Sequence, residues 1–362
     1  MIRTSGKENP MNYLKLFDIY VLITIAVVTM SGPGYGHNGP ENLDRTGENL
    51  LIVLQPKAQL KTGMPNSGSK IIRLDRKTGR QTLLSSDFIA ARDPVISFDG
   101  KKILFAAKKT AESRWRIWEM GIDGSTKRAI SDDRIDALSP VYAGGLFHLD
   151  DKRPTPQIAY IGIESRHGIQ QFAIYSADRD GKNARKISHA PVRITQLDIF
   201  SNGRLLYDSQ VIYPKKADSR QNPALMAVNI DGTDHMGFLP PSAGVKRGER
   251  KSFKIAADGR LYFIQPEEIT DSKQADPLSG GQLASVRLSR PLQSYRQISK
   301  LAGQFHSPLF INPGKLIVSY RKNSDELYGL YNYDLKSGKI GPEIYRSAQY
   351  HCIDTQLIHV QQ

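Results

Sequence analysis

The 362-residue chain contains 39% hydrophobic residues, which indicates a globular protein with a sizeable core. Its only cysteine, Cys352, excludes an intrachain disulfide, a structural zinc site built on CxxC and covalent haem attachment through CxxCH. We expect Cys352 to be a buried, unreactive thiol, with an intermolecular bridge as the alternative. The net charge of +14 favours an anionic partner, such as an acidic protein or an anionic membrane surface, and charge that only aids solubility is the equal alternative.

Residues 1–36 have the pattern of a secretory signal. Arg3, Lys7 and Lys15 precede the apolar run 19–30, and small residues follow as far as Gly36. The run is shorter than the roughly 20 residues that cross a bilayer as a helix, so retention as a short anchor is the lesser alternative. Removing this segment, with three basic and two acidic residues, lowers the net charge only from +14 to +13. We predict a signal peptide at 1–36, a disordered mature N-terminus at 37–48 and a folded domain at 49–362.

From Leu50 onward, short apolar stretches alternate with Gly-containing turns, which predicts β-strands joined by hairpins. The first unit has three strands, at 50–54, 70–74 and 81–84. The second unit, residues 93–131, is complete, with four strands and turns at Asp99-Gly100 and Asp123-Gly124. These dipeptides favour two-residue hairpins, because the primed turns of such hairpins need positive φ.

Four more units repeat this pattern, with longer loops at particular places. In the third unit a Pro-rich excursion, 145–157, replaces the first tight turn. The strands predicted in these units are 137–142, 158–161, 172–175 and 184–188; 195–200, 205–207 and 225–229; 253–255, 261–264, 283–288 and 295–299; and 308–311, 316–318, 328–333 and 343–345.

The spacing of equivalent turns predicts one closed ring. Glycines of the second turn are 45 residues apart from Gly79 to Gly124, 57 to Gly181 and 51 to Gly232. Four-stranded repeats of this period are typical of a β-propeller. The segment 353–360 has the pattern of the one strand that the first unit lacks, so pairing of the N- and C-terminal strands would leave no open edge. We predict an all-β fold, a single propeller of six four-stranded antiparallel blades, with seven blades as the alternative.

The repeat resembles that of TolB-type, WD40-like bacterial propellers. The resemblance rests on Pro94, the run from Ser97 to Lys101, Ile117-Trp118, Asp123-Gly124 and Ile130-Ser131, and it covers about residues 50–360. It implies the fold and leaves the function broad, because propellers of this type serve many roles. The α/β domain that precedes the propeller of TolB is not expected here, which makes the function of TolB itself a poor fit.

A narrower resemblance is to the propeller subunits of hydrazine synthase from anaerobic ammonium oxidisers, above all its beta subunit. It rests on Arg92-Asp93-Pro94-Val95, which leads into the run from Ser97 to Phe105, and on the plan of a secreted propeller without a haem motif. The resemblance implies a cofactor-free, non-catalytic subunit of a redox complex in the periplasm or an anammoxosome-type lumen. Its partner subunits would carry c-type haem and make hydrazine from nitric oxide and ammonium.

We find no motif for catalysis or metal binding. GxSxG is absent, and the histidines show no metal-ligand spacing. His306 and His351 lie near innermost strands, where we expect them to hydrogen-bond within the sheet or line the channel, a metal site being the lesser alternative. The run 178–183 resembles a calcium loop without its closing Glu, so we expect a hairpin turn there.

The strongest candidate for partner binding is the basic segment between the fourth and fifth units. Charged loops on a rigid scaffold are suited to docking, whereas a solvated linker is the alternative. The interaction residues we predict are Val245, Lys246, Arg247, Gly248, Glu249, Arg250 and Lys251. Secondary candidates are the loops 145–157, 213–222 and 265–281.

The sequence therefore favours a secreted, cofactor-free propeller subunit that binds haem-bearing partner subunits. Nucleic acid is not expected as a partner, and neither is stable membrane insertion after removal of the signal. One alternative is a TolB-like envelope scaffold that binds lipoproteins or peptides. The other is a free-standing enzyme or ligand binder that uses the central funnel.

Overall fold

Alternating apolar residues and Gly-containing turns produce β-strands and no helix in the part of the chain that the structure describes. The computed structural model describes residues 49–57, 68–147, 152–166, 168–211, 224–239, 251–266 and 278–358. The predicted signal peptide and mature N-terminus lie outside these ranges. Within them, no helix is long and apolar enough to cross a membrane.

The strands group into six blades, numbered in chain order. Blade 1 contains β1 (Leu50–Gln55), β2 (Lys70–Asp75) and β3 (Gln81–Leu83). Blade 2 contains β4 (Ala90–Ile96), β5 (Lys102–Lys108), β6 (Arg116–Gly121) and β7 (Arg128–Ala129). Blade 3 contains β8 (Asp136–Leu146), β9 (Thr155–Arg166), β10 (Ile169–Asp178) and β11 (Arg185–Lys186).

The second half of the ring follows the same plan. Blade 4 contains β12 (Val192–Arg193), β13 (Leu197–Ile199), β14 (Leu205–Val211), β15 (Ala224–Val228) and β16 (Met236–Leu239). Blade 5 contains β17 (Lys251–Ile255), β18 (Arg260–Gln265), β19 (Gln282–Arg287) and β20 (Arg296–Gln297). Blade 6 contains β21 (Gln304–Asn312), β22 (Lys315–Arg321), β23 (Gly329–Asp334) and β24 (Lys339–Tyr345), and β25 (Ile353–Leu357) completes blade 1.

The C-terminal strand closes the ring as predicted. β25 pairs antiparallel with β1, with Leu51 opposite Leu357 and Leu54 opposite Ile353. The innermost strands β25, β4, β8, β13, β17 and β21 contact one another in that order, and β21 returns to β25. The six-blade prediction is therefore confirmed, and the seven-blade alternative is wrong. Every innermost strand begins at one face of the ring, here called the N-terminal face, and ends at the C-terminal face.

The innermost strand of blade 4 is split, where the sequence predicted one strand over 195–200. Both β12 and β13 pair with β14, and residues 194–196 lie between them. The carboxylate of Asp208 explains the break, because its Oδ1 accepts the backbone N–H of Thr195 and of Gln196, each at 2.8 Å. These N–H groups thus bond to a side chain instead of the strand ladder.

Two of the turn predictions need correction. Within the Asp-Gly dipeptides only Gly has positive φ. At Asp99-Gly100, Ser97 N donates to Lys102 O, so four residues lie between the two bonded residues. At Asp123-Gly124, Gly121 N donates to Ser125 O at 2.8 Å and Gly124 N donates to Gly121 O at 2.9 Å. The second loop is therefore the three-residue type that ends on a left-handed Gly, and neither loop is a two-residue primed turn. In blade 3, β8 and β9 extend into the predicted excursion, with Gly145 opposite Pro156.

The core lies between adjacent blades. Five clusters of buried side chains join blades 2, 3 and 4, blades 1 and 2, blades 1 and 6, blades 4 and 5, and blades 5 and 6. Cys352 is fully buried in the cluster between blades 1 and 6, which confirms the predicted burial. Burial raises the pKa of this thiol to about 11, so it stays protonated at neutral pH.

Candidate functional site at the central channel

One position repeats in the innermost part of all six blades, and in blades 2, 4, 5 and 6 it lies six residues before the first turn. We call the residues at this position the inner ring: Asp93, Ser139, Gln196, Ser252, Ser307 and Asp354. Five of them, all except Gln196, have φ between +44° and +53°. The strand register shifts at the same place, so each of these residues sits in a β-bulge.

Hydrogen bonds from the inner ring cross the boundaries between blades 2, 3, 4 and 5. Asp93 Oδ2 accepts the backbone N–H of Ser139 at 2.9 Å, and Ser139 Oγ accepts the N–H of Leu197 at 3.0 Å. Gln196 Nε2 donates to the carbonyl of Phe253 at 2.6 Å. A non-Gly residue in the left-handed region costs about 1–3 kcal/mol, and these bonds offset that cost.

The chain of contacts continues through blades 5, 6 and 1. Ser252 Oγ lies 3.3 Å from His306 Nδ1, which also contacts the hydroxyl of Ser307. Ser307 Oγ donates to Asp354 Oδ1 at 2.8 Å. Blades 2 to 6 are thus each bonded to the next blade of the ring, and blade 6 to blade 1, through residues of the inner ring.

The two histidines predicted near innermost strands flank a single tyrosine. The rings of His306 and His351 each lie 5.6 Å from that of Tyr328, which is fully buried. His351 Nδ1 accepts the N–H of Tyr328 at 3.2 Å, which leaves the proton of the neutral ring on Nε2. The Arg321 guanidinium lies 4.5 Å from the Tyr328 ring centre. Both histidines therefore hydrogen-bond to protein groups, but His306 does so across the boundary of blades 5 and 6, and His351 bonds to the residue before β23.

No group of three or more His, Cys, Asp or Glu side chains that could hold a metal ion occurs among the described residues. The run 178–183 forms the hairpin turn between β10 and β11. Asp178 bonds there to protein groups, accepting from Gln157 Nε2 and from Asn183 Nδ2, each at 2.7 Å.

After the inner-ring position, the innermost strand of blade 4 carries a partly buried acid. Asp198 of β13 accepts the N–H of Ile255 in the next blade at 2.8 Å and that of Ile199 at 2.9 Å. Burial raises the pKa of Asp198, and the charge of Lys254 with the two N–H groups opposes that rise only in part. This carboxylate ties blade 4 to blade 5.

The C-terminal face of the ring opens into an apolar groove of about 480 Å³. The first turns of blades 2 to 5 supply its walls, including Phe98, Gly144, Phe200 and Ile255. Phe98 is 67% exposed, although its ring centre lies 6.4 Å from that of Tyr142. The groove thus contrasts with the inner ring, whose side chains are polar.

The predicted interaction segment lies outside the described residues, except for its last position. Val245, Lys246, Arg247, Gly248, Glu249 and Arg250 lie outside the described residues, and only the backbone of Lys251 is described, at the start of β17. β16 and β17 place both ends of the segment at the N-terminal face. The secondary loop 213–222 and most of 265–281 are likewise outside the described residues.

Sequence reasoning missed the inner ring. A signal was present in the dipeptides Asp93-Pro94, Ser139-Pro140 and Ser307-Pro308, which recur in three innermost strands. The Asp and Ser residues of these dipeptides hydrogen-bond to a neighbouring blade, and strand and turn patterns along the chain do not predict such contacts.

Comparison with known proteins supports a propeller of the predicted kinds. No protein-family model matches the chain. Hydrazine synthase subunit alpha of Kuenenia stuttgartiensis is 24% identical over 326 residues, which cover 77% of this chain and 40% of that protein. The repeat pattern had favoured the beta subunit, whereas this relative is subunit alpha.

Two solved structures share the fold. Hydrazine synthase of Kuenenia stuttgartiensis superposes with a TM-score of 0.70 at 20% identity, covering 86% of this chain and 47% of the other. TolB from Acinetobacter baumannii superposes with a TM-score of 0.56 at 11% identity, covering 85% of this chain and 66% of the other. The chain thus spans less than half the length of the hydrazine synthase chains that it matches, and the TolB-like and hydrazine-synthase-like resemblances are confirmed.

Proposed function

We propose that the chain is a non-catalytic propeller subunit of a secreted, multi-subunit redox complex related to hydrazine synthase. The similarity to hydrazine synthase subunit alpha carries this proposal, because it covers 77% of this chain. The inner ring agrees with a scaffold role, since its side chains bond neighbouring blades to one another. A rigid ring of this kind holds its loops at fixed positions for a partner.

Within this proposal the redox cofactors belong to the partners. The chain has no CxxCH sequence, so c-type haem would be supplied by other subunits. The basic segment 245–251 would contact them, and its flanking strands open at the N-terminal face together with the inner ring. A positively charged segment suits an acidic partner surface.

Purification of the tagged full chain from its native source tests this function. We expect partner subunits with CxxCH sequences to co-purify, identified by mass spectrometry and by the Soret absorbance of the sample. Lys246→Glu with Arg247→Glu should remove them, because the two reversals change the local charge by four units. Arg80→Glu with Lys339→Glu makes the same charge change at exposed sites near the C-terminal face and should retain them. A colourless, monomeric sample from such cells would contradict the proposal.

A TolB-like role in peptide binding is the second candidate, and the apolar groove at the C-terminal face favours it. Phe98 is exposed at the edge of the groove, so Phe98→Asp changes the surface with little effect on the core. If the groove binds the partner, this variant loses the co-purifying chains while the loop variant keeps them. The opposite pattern supports binding at the N-terminal face.

A further inference from the structure

A buried carboxylate joins blades 2 and 3. Glu119 of β6 is 2% exposed and accepts hydrogen bonds from Lys102 Nζ at 3.0 Å and Arg128 Nη2 at 2.7 Å. Arg179 Nε of blade 3 lies 3.3 Å away, and Tyr142 OH donates at 3.1 Å. We call this set the Glu119 cluster. In this cluster the side chains of Lys102, Arg128 and Arg179 surround the buried carboxylate of Glu119.

Blade 5 repeats the cations of this cluster without the anion. In blade 2 the register places Glu119 opposite Arg128, and Lys102 starts the second strand. In blade 5 the same register places Ser285 opposite Arg296, and Arg260 starts the second strand. Arg260, Ser285 and Arg296 therefore hold the positions of Lys102, Glu119 and Arg128.

A polar groove of about 250 Å³ lies where the missing carboxylate would be, between blades 5 and 6. Its lining includes Arg260, Ser285 and Arg296, with Lys336 from the turn between β23 and β24. Arg260 Nη1 donates to Ser285 Oγ at 3.1 Å. In the described part of the chain, Arg260, Arg296 and Lys336 form no ion pair. All three cations of the Glu119 cluster do.

One acid lines the groove, and the hairpin turn already engages it. Asp258 Oδ2 accepts the hydroxyl of Tyr262 at 2.7 Å, and Oδ1 accepts the N–H of Arg260 at 3.1 Å. Arg287 lies directly opposite Arg260 in the sheet, which adds positive charge to the same region. Like charges opposite each other in a sheet are unfavourable unless a counter-ion is present.

We propose that this groove binds a carboxylate or another small oxyanion, supplied either as a free ion or as an Asp or Glu side chain of a partner. Two guanidinium groups and an ammonium group are the donors that proteins use for such anions. The hydroxyl of Ser285 adds a neutral donor at the inner wall, whereas that of Tyr262 already donates to Asp258. The inference does not depend on the proposed function, because it rests on the comparison between two blades of the same chain.

Thermal unfolding of the full chain at constant ionic strength tests the site, with acetate, phosphate and a hexaglutamate peptide as probes. We expect at least one probe to raise the midpoint by roughly 2–4 °C. Ser285→Glu places a carboxylate where Glu119 stands in blade 2, so its midpoint should exceed that of the wild type without anion and should not respond to the probes. Arg296→Gln should lose the response, and Arg290→Gln, an exposed control in the same blade, should keep it.

The probes also separate the two sources of the anion. A response to acetate or phosphate indicates a free ion, and a response to the peptide alone indicates a carboxylate of a partner. If Ser285→Glu fails to fold, Arg260→Gln and Arg296→Gln carry the test. The proposal is overturned if no probe shifts the wild type, or if the shift is the same in the groove variants.

Discussion

Gly181 shows how a single residue sets the distance between two blades. It follows Asp180 in the hairpin turn of blade 3 and has a φ of +92°. A Cβ at this position would lie 2.1 Å from the carbonyl oxygen of Ile130 in blade 2. The sequence predicted this turn from local chemistry, but it did not predict the contact, because Ile130 belongs to another blade.

The substitution Gly181→Ala should lower the free energy of unfolding by about 3 kcal/mol or more. The left-handed conformation costs an L-residue roughly 1–2 kcal/mol, and the overlap with a backbone oxygen adds about 1–3 kcal/mol. Gly79→Ala is the matched control, since Gly79 has a φ of +69° and nothing within 4 Å of an added Cβ. Urea denaturation measures both. Equal losses in the two variants would show that blade spacing is not involved.

At the scale of strands, the sequence predicted the strands and turns that depend on residues close together along the chain. Hairpins such as β4–β5 follow from alternating apolar residues and Gly turns, which are local signals. The Glu119 cluster was not predicted, because Arg179 lies 60 residues from Glu119 and only ring closure brings them together. The bulges at Asp93 and Ser139 were missed for the same reason, since each is bonded to the next blade.

Glu119→Gln should weaken the junction of blades 2 and 3. Burial alone would raise the pKa of Glu119, but hydrogen bonds from Arg128 and Lys102 and their charges lower it below the usual 4.5. The carboxylate therefore contributes stability above that pH and loses it as the pH falls through the lowered pKa. We expect a loss of about 2 kcal/mol at pH 7, less than the roughly 3–5 kcal/mol of a fully buried pair because the cations are partly exposed.

Urea denaturation of the variant and the wild type between pH 3 and pH 7 measures this effect. The difference between them should shrink as the pH falls below about 4.5, because Glu119 then takes up a proton in the unfolded chain, whereas in the folded protein it does so only at its lowered pKa. Glu112→Gln, an exposed site in the same blade, is the control and should show no loss at either pH. A difference that stays constant over this range would mean that packing, not charge, accounts for it.

At the scale of the whole molecule, ring closure was predictable because it follows from the number of strands in each unit. The first unit lacked a strand and the segment 353–360 had the pattern of one, so the two ends could complete one blade. The structure confirms this pairing and ends the strand at Leu357. The grooves between blades could not be predicted from the number of strands, because they depend on which residue fills each equivalent position. Blade 5 has Ser285 where blade 2 has Glu119.

Removal of residues 353–362 should open the ring. The truncation exposes the edge of β1 and removes Ile353 and Leu357, whose burial alone contributes roughly 3–6 kcal/mol. We expect a lower urea midpoint, loss of a single cooperative transition and self-association on size-exclusion chromatography. Removal of 359–362 alone is the control and should leave the midpoint unchanged, since β25 is retained. If strand pairing closes the ring, addition of a peptide of residues 351–362 should restore the urea midpoint of the longer truncation. If the longer truncation leaves the midpoint unchanged and the peptide also has no effect, closure does not stabilise the propeller.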